Sequence, residues 1–529
     1  MRTPPGMQSG DFSAALSRFA QVVGKQWVFT DDADLDLYKD AYSVFRGEPQ
    51  EYVASAALAP ATVEEVQAIV RIANQYKVPL YPISTGRNLG YGGSAPAYSG
   101  SVILDLKRMN KVVEVNEKLH YAVVEAGCSF FDLNNHLKAR GIRLYCSPPA
   151  PGWGSPVGNS LDHGCGNPAR DNFKNHCGME VVLPNGELMR TGMGAMPGAE
   201  TWQTYHYGFG PYIDGMFTQS NFGVVTKMGF NLFREPELTQ MVSVTANSYD
   251  DLDALVETAE YLESEGVMPY GAGCFSPVLS SREADVMALI QSAGGGSASQ
   301  WNQMARDKKR PMYAMGLQFR GARRVVAAQI EEAKARFGAI RGVGFQDGKS
   351  WTAPLDLDRI DEPDRNNFGI PTLWRFYPDL VENKEPVWSG HVWFSPNIPQ
   401  TGAALRKANR VFQEGCQEMG LYWGWSGGIC FFPKNYTLLF AFEAGADAAT
   451  NRKSRETFLK LVQIGAEHGW SEYRTAPAFY DAIMEVFSFN DHALLRFHET
   501  VKDAVDPNGI ISAGRYGIWP KHLRKGRRA

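Results

Sequence analysis

Residues 84–96 read STGRNLGYGGSAP and come after a short apolar segment, VPLYPI (78–83), that reads as a strand. Small or flexible positions at Ser84, Gly86, Gly90 and Gly92 let the backbone approach a phosphate, and turn N–H groups can bind its oxygens. The pattern is not G-x-G-x-x-G running into a helix, so a Rossmann dinucleotide fold is not indicated. Upstream, TVEEVQAIVRIANQY (62–76) places Val63, Val66, Ile69, Val70 and Ala73 at helical spacing, with Thr62 as N-cap. Downstream, SVILDL (101–106) and YAVVEAG (121–127) read as strands, and a helix beginning near Ser129 would bury Phe130, Leu133 and Leu137. A second Gly/Pro-rich segment covers 148–166, VVLPNGELMRTG reads as a hairpin turning at Asn185-Gly186, and FTQSNFGVVT occupies 217–226. Glycine loops flanking a strand–helix unit suit a long phosphate-containing cofactor in extended form.

The pattern changes near Pro236. Strand (241–246), helix (250–264), strand (312–319) and helix (322–337) succeed one another. Then come a strand at 391–396, a helix at 402–419, strands at 429–432 and 436–443, and a helix at 453–468. These predict an antiparallel sheet covered by helices, in a second α+β unit. The stretch 345–390 is expected to be a long, strand-poor loop. The basic tail KHLRKGRRA reads as a solvated terminus.

Composition narrows the function. The chain has 529 residues, 44% hydrophobic and 21% charged, which suits a multi-domain globular protein. With 53 basic against 57 acidic residues, the net charge of −4 offers no field for nucleic acid. No apolar run reaches the ~20 residues that span a bilayer, and the first residues carry no apolar signal core. Seven scattered cysteines without a C-x-x-C pair argue against a disulfide framework or zinc ribbon and for a reducing, cytoplasmic setting. The ten histidines show no metal-ligand spacing, so no metal is expected. Gly424-Trp425-Ser426-Gly427-Gly428 satisfies G-x-S-x-G, the elbow of a serine hydrolase. Residues 429–433 after it read as strand and proline, not as the helix such an elbow needs. His391, in SGHVWFSP, reads by itself as a core histidine. Tyr473-Arg474 reads by itself as an exposed pair, or as hydroxyl and cation meeting one ligand oxygen with Tyr91.

Together, ISTGRNLGYGGSAP, GWGSPVGNSLDHG, GMEVVLPNGELMRTGMGAMPG, YGFGPYIDGMFTQSNFGVVTKMG, GHVWFSP, EYRT and VDPNGIISAGRYGIWP resemble the vanillyl-alcohol oxidase and p-cresol methylhydroxylase family of FAD-dependent 4-phenol oxidoreductases. The resemblance implies an α+β, two-domain FAD-binding fold with an antiparallel-sheet cap. Residues 1–235, completed by 486–529, would form the FAD domain, and 236–485 the cap. It implies FAD held by Ser84, Thr85, Gly86, Arg87, Asn88, Gly90, Pro156, Val157, Gly158, Asn159, Gly223, Val224 and Arg515, and bonded covalently to His391. Cresol-type members use an upstream tyrosine for that bond, and Tyr377 lies in the matching region. Tyr91, Tyr473 and Arg474 would hold a phenol as phenolate, allowing hydride transfer from the benzylic carbon and a p-quinone methide. Dioxygen or a cytochrome c would take the electrons, and a homodimer is the implied assembly.

The sequence departs from the family where carboxylates are expected. Ala150 stands in PAPGWG where oxidases carry aspartate, Gly427 takes the place of a cap glutamate, and Tyr436 and Thr437 replace paired histidines. Asp171 is the carboxylate left as a catalytic candidate. With Trp393, the positions Ala150, Gly427 and Tyr436 are expected to line a pocket enlarged for a bulky, lignin-type para substituent. A flavin-binding protein without catalysis is the remaining alternative, since the expected water-activating base is missing.

Overall fold

Thr62 sets the start of the first long helix of the glycine-loop region: its hydroxyl accepts the Glu65 backbone N–H, and the helix runs Val63–Tyr76. Val66, Ile69, Val70 and Ala73 are buried along one face, and Lys77 turns left-handed to end it. The chain then enters strand Leu80–Ile83, which pairs in parallel with Val102–Asp105. Ala56–Leu58 pairs in parallel on the other side, and Val28–Phe29 adds an antiparallel edge. The glycine-rich loop therefore leaves the carboxyl end of a buried parallel strand, where ligand crevices of such sheets lie. This computed structural model describes residues 2–268, 271–292, 294–374, 390–445 and 447–524.

A five-stranded antiparallel sheet comes next, in the order Leu188–Arg190, His176–Val182, Val224–Asn231, Tyr121–Glu125 and Val112–Asn116. Ser129 and Asp132 cap the helix Phe130–Ala139 reciprocally, and Phe130, Leu133 and Leu137 are its buried residues. One apolar core joins these sheets and reaches to Ile510 and Ile511 near the C-terminus. Ile511 bridges in parallel to Leu80. Buried Lys502 holds that return: its Nζ donates to the carbonyls of Asn221 and Ile511 and to Asp506 Oδ2 at 2.6–2.8 Å.

A second core runs from Val242 to Phe479, with Val44 joining it. It underlies a four-stranded antiparallel sheet ordered Cys274–Phe275, Tyr313–Gly321, Leu238–Ala246 and Gly344–Thr352. Helices Leu252–Ser264, Arg323–Gly338, Gly402–Glu418 and Ala448–Glu467 bury apolar residues in the same core. The architecture is α+β, in two parts, as expected. Gly344–Thr352 corrects the expected loop over 345–390. It is an edge strand with no buried residue, and its polar sequence carries no apolar alternation to announce it. The expected strand 436–443 is two strands: Asn435–Thr437 pairs with Pro396–Pro399, and Phe440–Glu443 with His391–Phe394. The expected helix 453–468 starts at Ala448, because Asp447 accepts the N–H groups of Ala449 and Thr450. Tyr377 lies outside the described residues. Among those residues no helix is long and apolar enough to cross a membrane.

Lys502 and Asp506 are both fully buried. Lys502→Ala leaves a buried carboxylate without its cation and should cost ~3–5 kcal/mol. Chemical denaturation of the variant should show this loss; a change below ~1 kcal/mol would mean the C-terminal return is held elsewhere.

Candidate active site

A cavity of about 290 Å³ begins at the glycine loop and ends between the two cores. Ser84, Thr85, Gly86, Arg87 and Asn88 line one side, and Val157, Gly158, Asn159, Gly223 and Val224 another. Gly90, at φ +79°, has no room for a side chain, since a Cβ there would meet Trp393 and lie 3.1 Å from His391 Cδ2. A Cβ on Gly158 would strike the Ser84 hydroxyl, so the backbone of both loops faces the cavity at close quarters. Arg515 closes the same wall from the C-terminal segment. Its guanidinium pairs with Asp162 Oδ1 at 2.5 Å and donates to Tyr81 at 3.3 Å, while Asn88 donates to Asp162 Oδ2 at 3.2 Å. Bare backbone on two loops beside a neutralised arginine suits the phosphates of an extended dinucleotide, and these residues fit FAD. Pro156, the first residue of its short helix, and Gly90 stand beside the lining residues and do not line the cavity themselves.

The far end carries a different chemistry. Tyr91, Tyr473 and Arg474 all line it. The two tyrosine hydroxyls are 3.3 Å apart, with their rings nearly perpendicular at 76°. Arg474 Cζ stands 4.0 Å from the Tyr91 ring centroid, a cation–π contact. Arg474 Nε is buried without a hydrogen-bond partner, and no carboxylate among the described residues forms an ion pair with this guanidinium. Burial disfavours its cation, while coulombic attraction to Tyr473, Tyr91, Cys165 and Asp162 keeps its pKa above the ordinary arginine value. Burial likewise pushes the Tyr473 phenol far up, with Arg474 opposing, so Tyr473 stays a neutral donor. Gln219, at φ +42°, donates from Nε2 to the Tyr473 carbonyl at 2.7 Å and fixes that segment.

Other expected positions fall in different places. Ala150 and Trp393 line the cavity. His391 is buried behind them, 5.1 Å from the Tyr42 ring centroid and 4.3 Å from that of Trp393, and burial pushes its pKa down to about 4. Asp171 is corrected: it is absent from the cavity lining, and its carboxylate accepts the N–H groups of Phe173 and Lys174 at 3.1 Å in a local turn. Gly427 and Tyr436 are corrected as well. A Cβ on Gly427 would lie 2.9 Å from both Cys274 O and Phe275 Cβ, so this glycine serves strand packing and enlarges no pocket. Tyr436 is fully buried beneath Gly428 in the second core. The Ser426 hydroxyl donates to the Leu439 carbonyl and accepts the Leu439 N–H, and strand Ile429–Phe432 comes after it, which removes the hydrolase reading.

Ser395 and Glu472 were not anticipated. Ser395 Oγ is 3.1 Å from Tyr91 Oη, its N–H donates to Glu472 Oε2 at 2.6 Å, and its carbonyl accepts the Tyr473 N–H at 3.4 Å. Burial lifts the Glu472 pKa well above the usual carboxylate range, with the Ser395 N–H opposing. EYRT alone gave no sign that its glutamate would face inward.

The cradle, the two-part α+β fold and a match of residues 54–192 to the FAD binding domain family define an FAD-dependent oxidoreductase. The 4-cresol dehydrogenase [hydroxylating] flavoprotein subunit of Pseudomonas putida is 29% identical over 97% of both chains. The solved 4-ethylphenol oxidase from Gulosibacter chungangensis, in complex with isoeugenol, is 32% identical, with TM-score 0.84 over 99% of this chain and 100% of that one. Substrate-bound p-cresol methylhydroxylase superposes at TM-score 0.83 with 28% identity, covering 98% and 99% of the two chains. The chain belongs to the vanillyl-alcohol oxidase and p-cresol methylhydroxylase family.

Glu472 supplies a sign-definite test. A carboxyl whose folded pKa is raised binds its proton more tightly than in the unfolded chain. Stability is therefore greatest in acid and falls as pH rises through the folded pKa, by up to ~1.4 kcal/mol per pH unit. Glu472→Gln has no such proton, so its melting temperature should lose less than wild type between about pH 5 and about pH 8. Parallel profiles would mean that Glu472 is ionised in the folded protein.

Proposed function

We propose that the protein oxidises para-substituted phenols, namely alkyl- or alkenylphenols or 4-hydroxybenzylic alcohols, with dioxygen as electron acceptor and hydrogen peroxide as product. The observation that carries this reading is the buried Arg474 cation, without a carboxylate partner, beside the hydroxyls of Tyr91 and Tyr473 at one end of the cavity. A phenolate oxygen fits that triad, accepting from Tyr91 and Tyr473 and neutralising Arg474. Holding the substrate as phenolate pushes electron density to the para carbon, which makes its benzylic hydrogen a better hydride donor. FAD, when bound, supplies the two-electron acceptor for that hydride. The phenol fragment left behind is a p-quinone methide, which water converts to a hydroxylated product; a benzylic alcohol goes to its aldehyde.

Phe431, Leu439 and Trp393 line the cavity alongside the triad and offer apolar surface for an aromatic ring. Ala150, between Pro149 and Pro151, puts only a methyl group into the lining, which favours a bulky para substituent. The names of the relatives, a cresol dehydrogenase and an ethylphenol oxidase, support the phenol class; dioxygen and a cytochrome c are the two acceptors to separate by experiment. The division into an FAD domain (1–235 with 486–529) and a cap (236–485), and a homodimer, belong to the same proposal. His391 is the proposed covalent anchor of FAD: with its pKa at about 4 the imidazole is neutral at physiological pH and has a lone pair to bond with.

Anaerobic mixing with 4-(2-propenyl)phenol, which has a benzylic CH2, should bleach the flavin. Tyr473→Phe or Arg474→Ala should slow the bleaching ~10- to 100-fold, the loss of one hydroxyl or charged contact at the transition state. Rates near wild type in both variants would remove the phenolate clamp, and faster turnover of 4-ethylphenol than of every bulkier phenol would remove the enlarged pocket. Admitting air should restore the flavin band with peroxide; a flavin that recovers only with cytochrome c would make the protein a dehydrogenase. On acid denaturation, wild type should keep its flavin on the polypeptide and His391→Ala should release it. Retention in the variant would move the anchor to another residue, with Tyr377 tested first.

A further inference from the structure

The hydrogen count at the triad is incomplete. Tyr91 and Tyr473 each own one hydroxyl hydrogen, and their oxygens are within hydrogen-bond distance of each other. If Tyr473 donates to Tyr91, a ligand oxygen receives one tyrosine donor. It receives two when Tyr473 turns its hydrogen to the ligand as well, and the acceptor position of Tyr91 Oη is then open to a hydrogen from another group. Ser395 Oγ, at 3.1 Å, is that group among the described residues.

Ser395 is fully buried and is held from three sides. It sits where the chain leaves strand His391–Phe394 and enters Pro396–Pro399, between two different sheets. Its carbonyl accepts from Tyr473 N–H and its own N–H is taken by Glu472 Oε2. The other carboxyl oxygen, Glu472 Oε1, is buried with no hydrogen-bond partner. A glutamate that commits one oxygen to a single backbone N–H, and leaves the other bare, is placed for that N–H.

We infer that Ser395, anchored through its N–H by Glu472, is a positioning residue of the phenol site: its hydroxyl donates to Tyr91 Oη and so frees both tyrosine hydrogens for the ligand oxygen. The inference rests on the phenol reading and adds to it the residue that sets the number of donors. Burial disfavours the charged form of Glu472. Glu472 therefore anchors the loop without competing with the bound anion for Arg474.

The test uses the holoenzyme and 4-fluorophenol, which has no benzylic carbon and so gives up no hydride. Its ¹⁹F shift reports whether the bound phenol is ionised, the released proton going to buffer. In wild type the ionisation midpoint should lie below that of the free phenol. Ser395→Ala should raise the bound midpoint by about one pH unit, tenfold in the phenol-to-phenolate ratio, as expected for one lost donor to a charged acceptor. Tyr91→Phe should do the same, and Ser395→Cys, a weaker donor, should fall between. Glu472→Ala should shift the midpoint like Ser395→Ala, and Glu472→Gln, which keeps a neutral acceptor for the N–H, should restore it. A purely structural role would lower flavin content or melting temperature and leave the midpoint in place. A Ser395→Ala midpoint equal to wild type, with Tyr91→Phe shifted, would overturn the inference while the phenol reading stands. Should Ser395→Ala not fold, the Cys variant decides in its place. A wild-type enzyme that does not lower the midpoint at all would overturn the phenol reading, and this inference with it.

Discussion

A buried arginine without a carboxylate sets the terms for everything around it. Removing a cation from water costs several kcal/mol unless something returns the lost solvation, and arginine cannot escape by losing its proton. Other buried or half-buried cations of this fold are compensated: Lys502 by Asp506, Arg515 by Asp162, Arg170 by Glu263. Arg474 rests on the face of Tyr91 and has Tyr473 beside it, which soften the cost without cancelling the charge. The stabilisation withheld from Arg474 within the chain is available to an anion that enters the site. In the proposed function, the same charge that weakens the fold locally would be the source of affinity.

Holding such a group demands rigid surroundings, and they come from chain crossings. Tyr91 belongs to the glycine loop, Ser395 to a sheet-switching point, and Tyr473 and Arg474 come directly after a two-residue strand that pairs with Pro396 and Asn397. The register of that pairing puts Glu472 opposite Pro396 and so brings its carboxyl to the Ser395 N–H. Gln219, from the segment before strand Val224–Asn231, ties the Tyr473 carbonyl to the first core. A clamp made from four distant segments can be held to a few tenths of an ångström only because each segment leaves or enters a paired strand or a packed loop.

Legibility in the sequence tracked the range of the physics. Thr62 as cap, a helix beginning near Ser129, the apolar spacing of 63–76 and the turn at Asn185-Gly186 are local signals, and the corresponding elements formed within a few residues. The glycine loop and the Tyr91, Tyr473 and Arg474 set were legible through family resemblance, and the fold brings them to one cavity. Gly427, Tyr436 and Asp171 fell elsewhere because correspondence along the chain does not say which way a residue faces. Gly427 packs on Cys274 and Phe275, and Asp171 is consumed by its own turn. The edge strand Gly344–Thr352 was invisible because, with neither face buried, it has no reason to alternate. Ser395 and Glu472 carry no local signal at all. A serine among aromatics and a glutamate before a tyrosine gain meaning only when two sheets meet.

The acids near Arg474 decide what the site selects. Asp162 is taken by Arg515, Asn88 and Tyr516, and burial disfavours the charged form of Glu472. Neither forms an ion pair with Arg474, and in the proposed function the ligand balances that charge. An aryl methyl ether has an oxygen in the same place but cannot ionise, so it would accept from the tyrosines while leaving Arg474 uncompensated. A phenol bears the cost of its ionisation once and then satisfies two hydroxyl donors and one cation with a single atom. In the proposed function, discrimination for a free para-phenolic hydroxyl would therefore be a property of the missing carboxylate. A carboxylate introduced beside Arg474 would weaken the very ionisation that prepares the substrate for oxidation.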